Sequence, residues 1–342
     1  MRAAVFHEPG TPLAIERVAD PAPQAGEAVI KVHYCGVCGT DLHATQHHYD
    51  DEGGRIMGHE FTGEIVALGA EAEDGWREGD RLCSPPFISC GRCLACLQGK
   101  HWRCASLQIT GSGPVPGAFA EYVRVHLSAS VRLPHQVSWK AGALVEPLAV
   151  GLHAVRGSAR GLSGKNVLVI GAGPIGLAVG LWCRLFGARQ VIVSELEPGR
   201  AALALKYGAT GTVNPRENLP EQFLDQAGAA PDVIFECVGV PGMIAHAVDV
   251  APFGAELIIV GFCMDKDSFM PAAAMVKELT MQFVIGHEKP DFQLVVDMLA
   301  AGRLDVEDMI TDIYAFDAFA AGFEALRTPT HQCKILLDPT LI

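Results

Sequence analysis

Cys90, Cys93, Cys96 and Cys104 follow the spacing C-x2-C-x2-C-x7-C. Four thiolates along one short loop can enclose a tetrahedral divalent ion. An all-sulfur set leaves no position open, which suits a zinc that stabilises a lobe and performs no chemistry. Gly91 permits a tight turn, and Arg92 and Lys100 put cations near the thiolates. Disulfides would need an oxidising compartment and would close small, strained loops. The ferredoxin run ends C-x3-C-P, whereas Cys104 lies further along and precedes Ala105.

Upstream lies a second, mixed set: Cys38, Thr40 and His43, then His59-Glu60. A catalytic zinc takes about three ligands from Cys, His and carboxylate and keeps one position for substrate. Cys38 and His59 are the natural pair, and Glu60 or a later acid completes the set. Glu146 is an acid inside an apolar stretch, and burying it without a partner would be costly, so it too is a candidate ligand. Such a zinc would polarise an alcohol oxygen so that hydride can leave the carbinol carbon for a nicotinamide. Thr40 and His43 can relay the released proton through the cofactor ribose, with His47 and His48 as rivals for that task.

A third constellation is the run 167–176, which ends Gly171-Ala-Gly173-Pro174-Ile175-Gly176. This is G-x-G-x-x-G directly after a strand and opening a helix. Gly171 makes the turn, Gly173 lets backbone approach a pyrophosphate, and Gly176 permits close helix–strand packing. The helix N-terminus faces the phosphates. Nineteen residues beyond Gly176, Glu195 ends the next strand. An acid there accepts ribose hydroxyl hydrogens and repels a 2′-phosphate, which favours NAD over NADP.

These residues need a scaffold, and 342 residues suffice for two domains. Apolar residues make up 49% of the chain, enough for buried cores. The first 150 residues read as short strands and turns, with strands at 28–32, 63–68 and 119–125. A helical apolar pattern covers 141–155. Beyond it, apolar strands at 167–170, 191–194, 213, 233–236 and 257–261 alternate with helices, the pattern of a parallel sheet covered on both faces. The tail reads as a helix from about 289, a strand at 310–314, a helix at 315–327 and a last strand at 334–337. A net charge of −13 argues against nucleic acid. The run 167–183 is uncharged but short and glycine-rich, so a strand–turn–helix is expected rather than a membrane span. No export signal is visible at the start, and with eleven cysteines the reducing cytoplasm is the expected location.

Together these motifs resemble the zinc-dependent medium-chain dehydrogenase/reductase family, in its polyol and secondary-alcohol branch (sorbitol-, butanediol- and threonine-dehydrogenase-like). The resemblance spans essentially the whole chain. It rests on 36–41, Gly58-His59-Glu60, Gly79-Asp80-Arg81, the cysteine lobe, Glu146-Pro147-Leu148, the glycine turn and 232–239. It implies an α/β protein with a GroES-like β-barrel built from 1–152 and 289–342, and a Rossmann doubly wound sheet at 153–288. It implies Cys38, His59 and Glu146 as catalytic zinc ligands, with Glu60 an alternate. It further implies Ile175, Glu195, Arg200 and Val238 as cofactor contacts, with Val260-Gly261-Phe262 and Ile285 beside the nicotinamide, and a homodimer or homotetramer.

The sorbitol enzymes carry a tyrosine after the position of His43 and an arginine–tyrosine pair on the nicotinamide side. Here those places hold Ala44, Gly286 and His287. Losing three polyhydroxyl-binding groups favours an apolar or cyclic secondary alcohol, or a small diol, over a hexitol, and His287 restores one polar contact. Phe87, Trp102 and His287 are candidate pocket walls. The alternatives are a polyol- or threonine-type dehydrogenase, a zinc-free quinone-reductase type and a zinc-ribbon binding module. The quinone-reductase type typically lacks both metal sets, and a zinc ribbon has no use for the glycine turn.

Overall fold

The structure is a computed structural model that describes residues 1–49, 54–72, 75–113 and 115–341. The expected segments 1–152 and 289–342 therefore include a few positions (50–53, 73–74, 114 and 342) outside the described residues. The chain forms two compact units, Met1–Ala149 with His287–Ile342, and Val150–Gly286.

The first unit is built on antiparallel strands. Its largest sheet runs Val131–Arg132, Arg81–Cys83, Glu60–Leu68, Glu27–Gly36, Lys334–Leu337, Ile310–Tyr314, and Tyr122–His126 also pairs with Glu27–Gly36. Glu27–Gly36 pairs with three strands, Glu60–Leu68, Tyr122–His126 and Lys334–Leu337, and has two register shifts against the first, the irregularities that let a sheet curl. The last strand, Lys334–Leu337, runs antiparallel to it and is wholly buried. Inside lie Ile30, Val32, Phe61, Phe119, Phe319, Phe323 and Ile335. Phe119 meets the Phe319 ring edge-on at 4.9 Å, a favourable aromatic arrangement. The strand expected at 119–125 begins only at Tyr122. Gly117 presses so closely on the Met57 carbonyl that a Cβ would lie 2.2 Å from it. The next residues bond to that crossing segment instead, with Phe119 donating to Met57 O at 2.9 Å.

The second unit is a six-stranded parallel sheet. Its spatial order is Gly211–Val213, Gln190–Ser194, Asn166–Ile170, Val233–Glu236, Glu256–Ile259, Thr280–Phe283. In chain order this is 3-2-1-4-5-6, the doubly wound Rossmann arrangement. Asn166–Ile170 and Val233–Glu236 are buried throughout, as continuous apolar runs in a covered sheet must be. The run 167–183 is strand, turn and the helix Pro174–Leu185, with Gly171 at φ +96° breaking it. No helix among the described residues is long and apolar enough to cross a membrane. The 141–155 pattern is two helices, Trp139–Ala143 and Val145–Arg156, the first capped by Ser138, whose Oγ accepts the Ala141 N–H at 2.9 Å.

Candidate active site

In the cysteine lobe the helix Leu94–Leu97 starts at Cys93 and turns Cys96 inward. The four sulfurs of Cys90, Cys93, Cys96 and Cys104 all lie within 4.8 Å of one another. Cys93 and Cys96 are separated by 3.4 Å, and Cys90 and Cys96 by 4.0 Å. A disulfide needs about 2.05 Å, whereas a tetrahedral zinc with bonds of about 2.3 Å has sulfur–sulfur edges near ~3.8 Å. The spacing therefore fits zinc. The backbone N–H groups of Arg92 and Cys93 lower the Cys90 thiol to about 6, favouring the ligating thiolate.

The mixed set converges as closely. Donor atoms of Cys38, His59 and Glu60 lie within 4.8 Å of one another. Cys38 caps the helix Gly39–Ala44, and its N–H donates to Asp41 Oδ2 at 3.0 Å. Asp41 Oδ1 lies 3.3 Å from His59 Nδ1, which leaves Nε2 facing Thr40 Oγ1 at 3.4 Å. Burial alone would strip the His59 ring of charge. Asp41 and Cys38 outweigh it and hold its pKa well above the ordinary histidine range. Two acids, a thiol and an imidazole drawn together in a buried corner are the chemistry of a divalent-cation site. His43 stands half-buried on the same short helix as Thr40.

Glu60 is fully buried, and Lys334 Nζ lies 2.6 and 2.7 Å from its two oxygens. The ammonium also donates to Val37 O at 2.8 Å. Burial works against this charge, but Glu60 keeps the Lys334 pKa above the usual lysine value. Glu146 stands outside the three-residue cluster and faces His287, whose Nε2 is 3.4 Å from Glu146 Oε1. Burial opposes the Glu146 charge, yet His287 and the charges around it bring its pKa below the usual value.

In the Rossmann unit Gly173 begins the helix Pro174–Leu185 with Pro174 in the first turn. A Cβ on Gly173 would meet nothing within 4 Å, whereas one on Gly176 would lie 1.9 Å from the Gly171 carbonyl. The first leaves open room over the turn, and the second is the close packing that only glycine allows. Glu195 Oε2 accepts the Ala172 N–H at 2.7 Å, and Oε1 accepts those of Leu196 and Glu197 at 2.8 and 2.9 Å. Ile175 and Arg200 are half-buried near the starts of their helices. Val238, Phe262 and Ile285 are 40%, 46% and 56% exposed, while Val260 and Gly261 are half-buried.

Residues 24–135 match the model for the alcohol dehydrogenase GroES-like domain, and 174–301 that for zinc-binding dehydrogenases. The chain is 31% identical to sorbitol dehydrogenase of Bacillus subtilis, across 99% of its own length and 97% of that protein's. It is 32% identical to (R,R)-butanediol dehydrogenase of the same organism, over 99% and 100%. The chain belongs to the zinc-dependent alcohol dehydrogenase family. An Escherichia coli CFT073 alcohol dehydrogenase solved with NADH matches this zinc dehydrogenase at a TM-score of 0.86 and 29% identity, covering 99% of both chains.

Several groups beside the candidate site escape a reading of motifs. Asp41 sits inside the Cys38–His43 segment, but nothing in its spacing says that it orients His59. Lys334 is 274 positions from Glu60. Glu236 ends its strand buried and accepts the Val238 and Gly239 N–H groups at 2.6 and 3.0 Å. It thereby shapes the turn beside Gly261, where a Cβ would lie 2.5 Å from Glu236 Oε2. Of the candidate pocket walls, Phe87 packs on His287 at 5.3 Å, and Trp102 lies under Arg103. Ala44 packs against the barrel core.

Proposed function

We propose that this protein oxidises a secondary alcohol or small vicinal diol to the ketone, reversibly, with NAD as hydride acceptor. The observation that carries this reading is the convergence of Cys38, His59 and Glu60 within 4.8 Å, beside a separate closed set of four cysteines. Cys38 and His59, with Glu60 or Glu146, would hold a zinc that acts as Lewis acid toward the alcohol oxygen. Cys90, Cys93, Cys96 and Cys104 would hold one that only supports its lobe. Gly171, Gly173, Pro174, Ile175 and Gly176 would cradle the pyrophosphate, Glu195 would take the ribose hydroxyls, and Arg200 would lie by the adenosine. Val238, Val260, Gly261, Phe262 and Ile285 would line the nicotinamide.

The chain's own groups then divide the work. Asp41 fixes the His59 ring so that Nε2 points to the site. Thr40 takes the alcohol proton at its hydroxyl as it passes its own onward, and His43 delivers it toward solvent. The balance is CH–OH and NAD⁺ giving C=O, NADH and one proton. By the resemblance, Ala44 stands where sorbitol enzymes carry a tyrosine, and so small a side chain offers a polyol hydroxyl no partner, which supports apolar, cyclic or short diol substrates over hexitols.

The edge strand Thr280–Phe283, with Phe283 65% exposed, supports self-association as a dimer or tetramer. Eleven unpaired thiols support a reducing, cytoplasmic location. The test is a screen of primary, secondary, cyclic and polyol substrates with NAD and NADP, beside elemental analysis. Two zinc ions per chain and activity led by secondary alcohols or diols with NAD are expected. Full activity with one zinc or none overturns the reading.

A further inference from the structure

His287 is buried to 1% exposure and lies between two aromatic rings, Phe87 at 5.3 Å and Phe292 at 5.0 Å. Neither ring nitrogen makes a regular hydrogen bond among the described residues. The polar group it faces is the Glu146 carboxylate, with Nε2 3.4 Å from Oε1. A buried imidazole without good partners is expensive to keep, and a leucine or phenylalanine would fill such an aromatic slot at no such expense. The arrangement makes sense where Nε2–H reaches one Glu146 oxygen and leaves the other for a second partner.

Glu60 is placed differently. Both of its oxygens are engaged by the Lys334 ammonium at 2.6 and 2.7 Å. Of the two candidate acids, Glu60 lies with Cys38 and His59 but is clamped by a cation, while Glu146 stands outside that cluster with a single ring nitrogen beside one oxygen. Carboxylates that bind metals are commonly oriented by such an outer donor, and losing it weakens metal binding.

We infer that His287 is a positioning residue: its Nε2–H holds Glu146 Oε1 and thereby presents the other carboxylate oxygen to the catalytic zinc. This rests on the zinc-dehydrogenase reading above, in the case where Glu146 is an acid ligand beside Cys38 and His59. His287 serves the metal through Glu146 and need not touch substrate.

Two substitutions separate this role from packing. His287→Phe keeps an aromatic ring between Phe87 and Phe292 but removes the donor. His287→Gln loses the ring and keeps an N–H of similar reach. The readouts are release of the more labile zinc to a chelator, kcat, and KM for NAD, with zinc stoichiometry of the unmodified protein as reference. The inference expects His287→Phe to speed loss of that zinc by about 10–100-fold and to lower kcat, leaving KM for NAD unchanged. His287→Gln should restore most of both. Glu146→Gln combined with His287→Phe should lose no more than Glu146→Gln alone. A His287→Phe protein that retains zinc and kcat while His287→Gln does not would show that His287 only packs, and overturns the inference. So would effects of the two sites that simply add. If the unmodified protein binds a single zinc, the functional reading itself fails, a result distinct from either.

Discussion

Lys334 and Glu60 form a fully buried ion pair, with Nζ 2.6 and 2.7 Å from the two carboxylate oxygens and relative exposures of 1% and 0%. The pair joins the last strand to the first residue of the strand Glu60–Leu68, beside two other candidate zinc ligands. Removing one member leaves the other charge buried and uncompensated, which costs about 3–5 kcal/mol. Lys334→Met should therefore lower stability by about that amount in urea unfolding, and the double change Lys334→Met with Glu60→Gln should recover most of it. A single Lys334→Met as stable as the parent would mean the pair carries little net energy.

The two metal sets should fail in different ways. Cys38→Ser or His59→Ala should abolish turnover and leave the unfolding midpoint near the parent's. Cys96→Ser should instead lower the midpoint and yield, because zinc binding supports the lobe's fold. Metal content, activity and thermal unfolding measured on the same three preparations decide it.

Cofactor choice should depend on Glu195. The unmodified protein should prefer NAD over NADP by about tenfold or more, since a 2′-phosphate meets a carboxylate where a hydroxyl would donate to one. Glu195→Ser should relax this preference in kcat/KM. The same change should also cost about 1–3 kcal/mol, because three backbone N–H groups lose their acceptor. Equal kcat/KM with the two cofactors before any substitution would remove Glu195 from this role.

Substrate preference is open to a direct kinetic comparison. Each hydroxyl desolvated without a partner costs about 1–3 kcal/mol, so two or three could disfavour a hexitol by about a hundredfold. Cyclic and alkyl secondary alcohols and butanediol should exceed sorbitol in kcat/KM. Sorbitol or xylitol at the head of the series would contradict the reading.

Stability should fall on mild acidification because of His101. Burial first, and then Lys289, lower its pKa to about 4, and its Nδ1 is hydrogen-bonded to Ser89 Oγ at 2.7 Å. An unfolded histidine titrates near ~6.5, so between these values the unfolded chain binds the extra proton. Stability from this site is fully present above about pH 6.5, declines as pH falls toward 4, and is level below that. His101→Gln should flatten this part of the curve, as followed by urea unfolding from pH 7 to 4.

The readable part of the site was residue type at short range. Cys90 to Cys104 and Gly171 to Gly176 are local in sequence, so loop geometry follows from spacing. The parallel strands were equally plain, since a strand such as Asn166–Ile170 is apolar at nearly every position. The strand expected from Phe119 starts late because Gly117 meets Met57 across the fold, a contact no local pattern contains. The pairing of Lys334 with Glu60, and of His287 with Glu146, is illegible for the same reason: a lone lysine or histidine gains such a partner only from the topology that brings a carboxylate beside it.

The position of Lys334 also sets a timetable for biosynthesis. Glu60 leaves the ribosome 274 residues ahead of its counter-ion, which at about 5–20 residues per second is roughly 14–55 s. Through that interval the Glu60 carboxylate must stay hydrated, and the strand Glu27–Gly36 waits for Lys334–Leu337 at its edge. The strands at 166–283 emerge as one uninterrupted block and can pair with each other meanwhile. Until Lys334–Leu337 emerges, the nascent protein thus carries an open strand edge and an unpaired acid at Glu60, the kind of exposed edge that invites chaperone capture or misassembly.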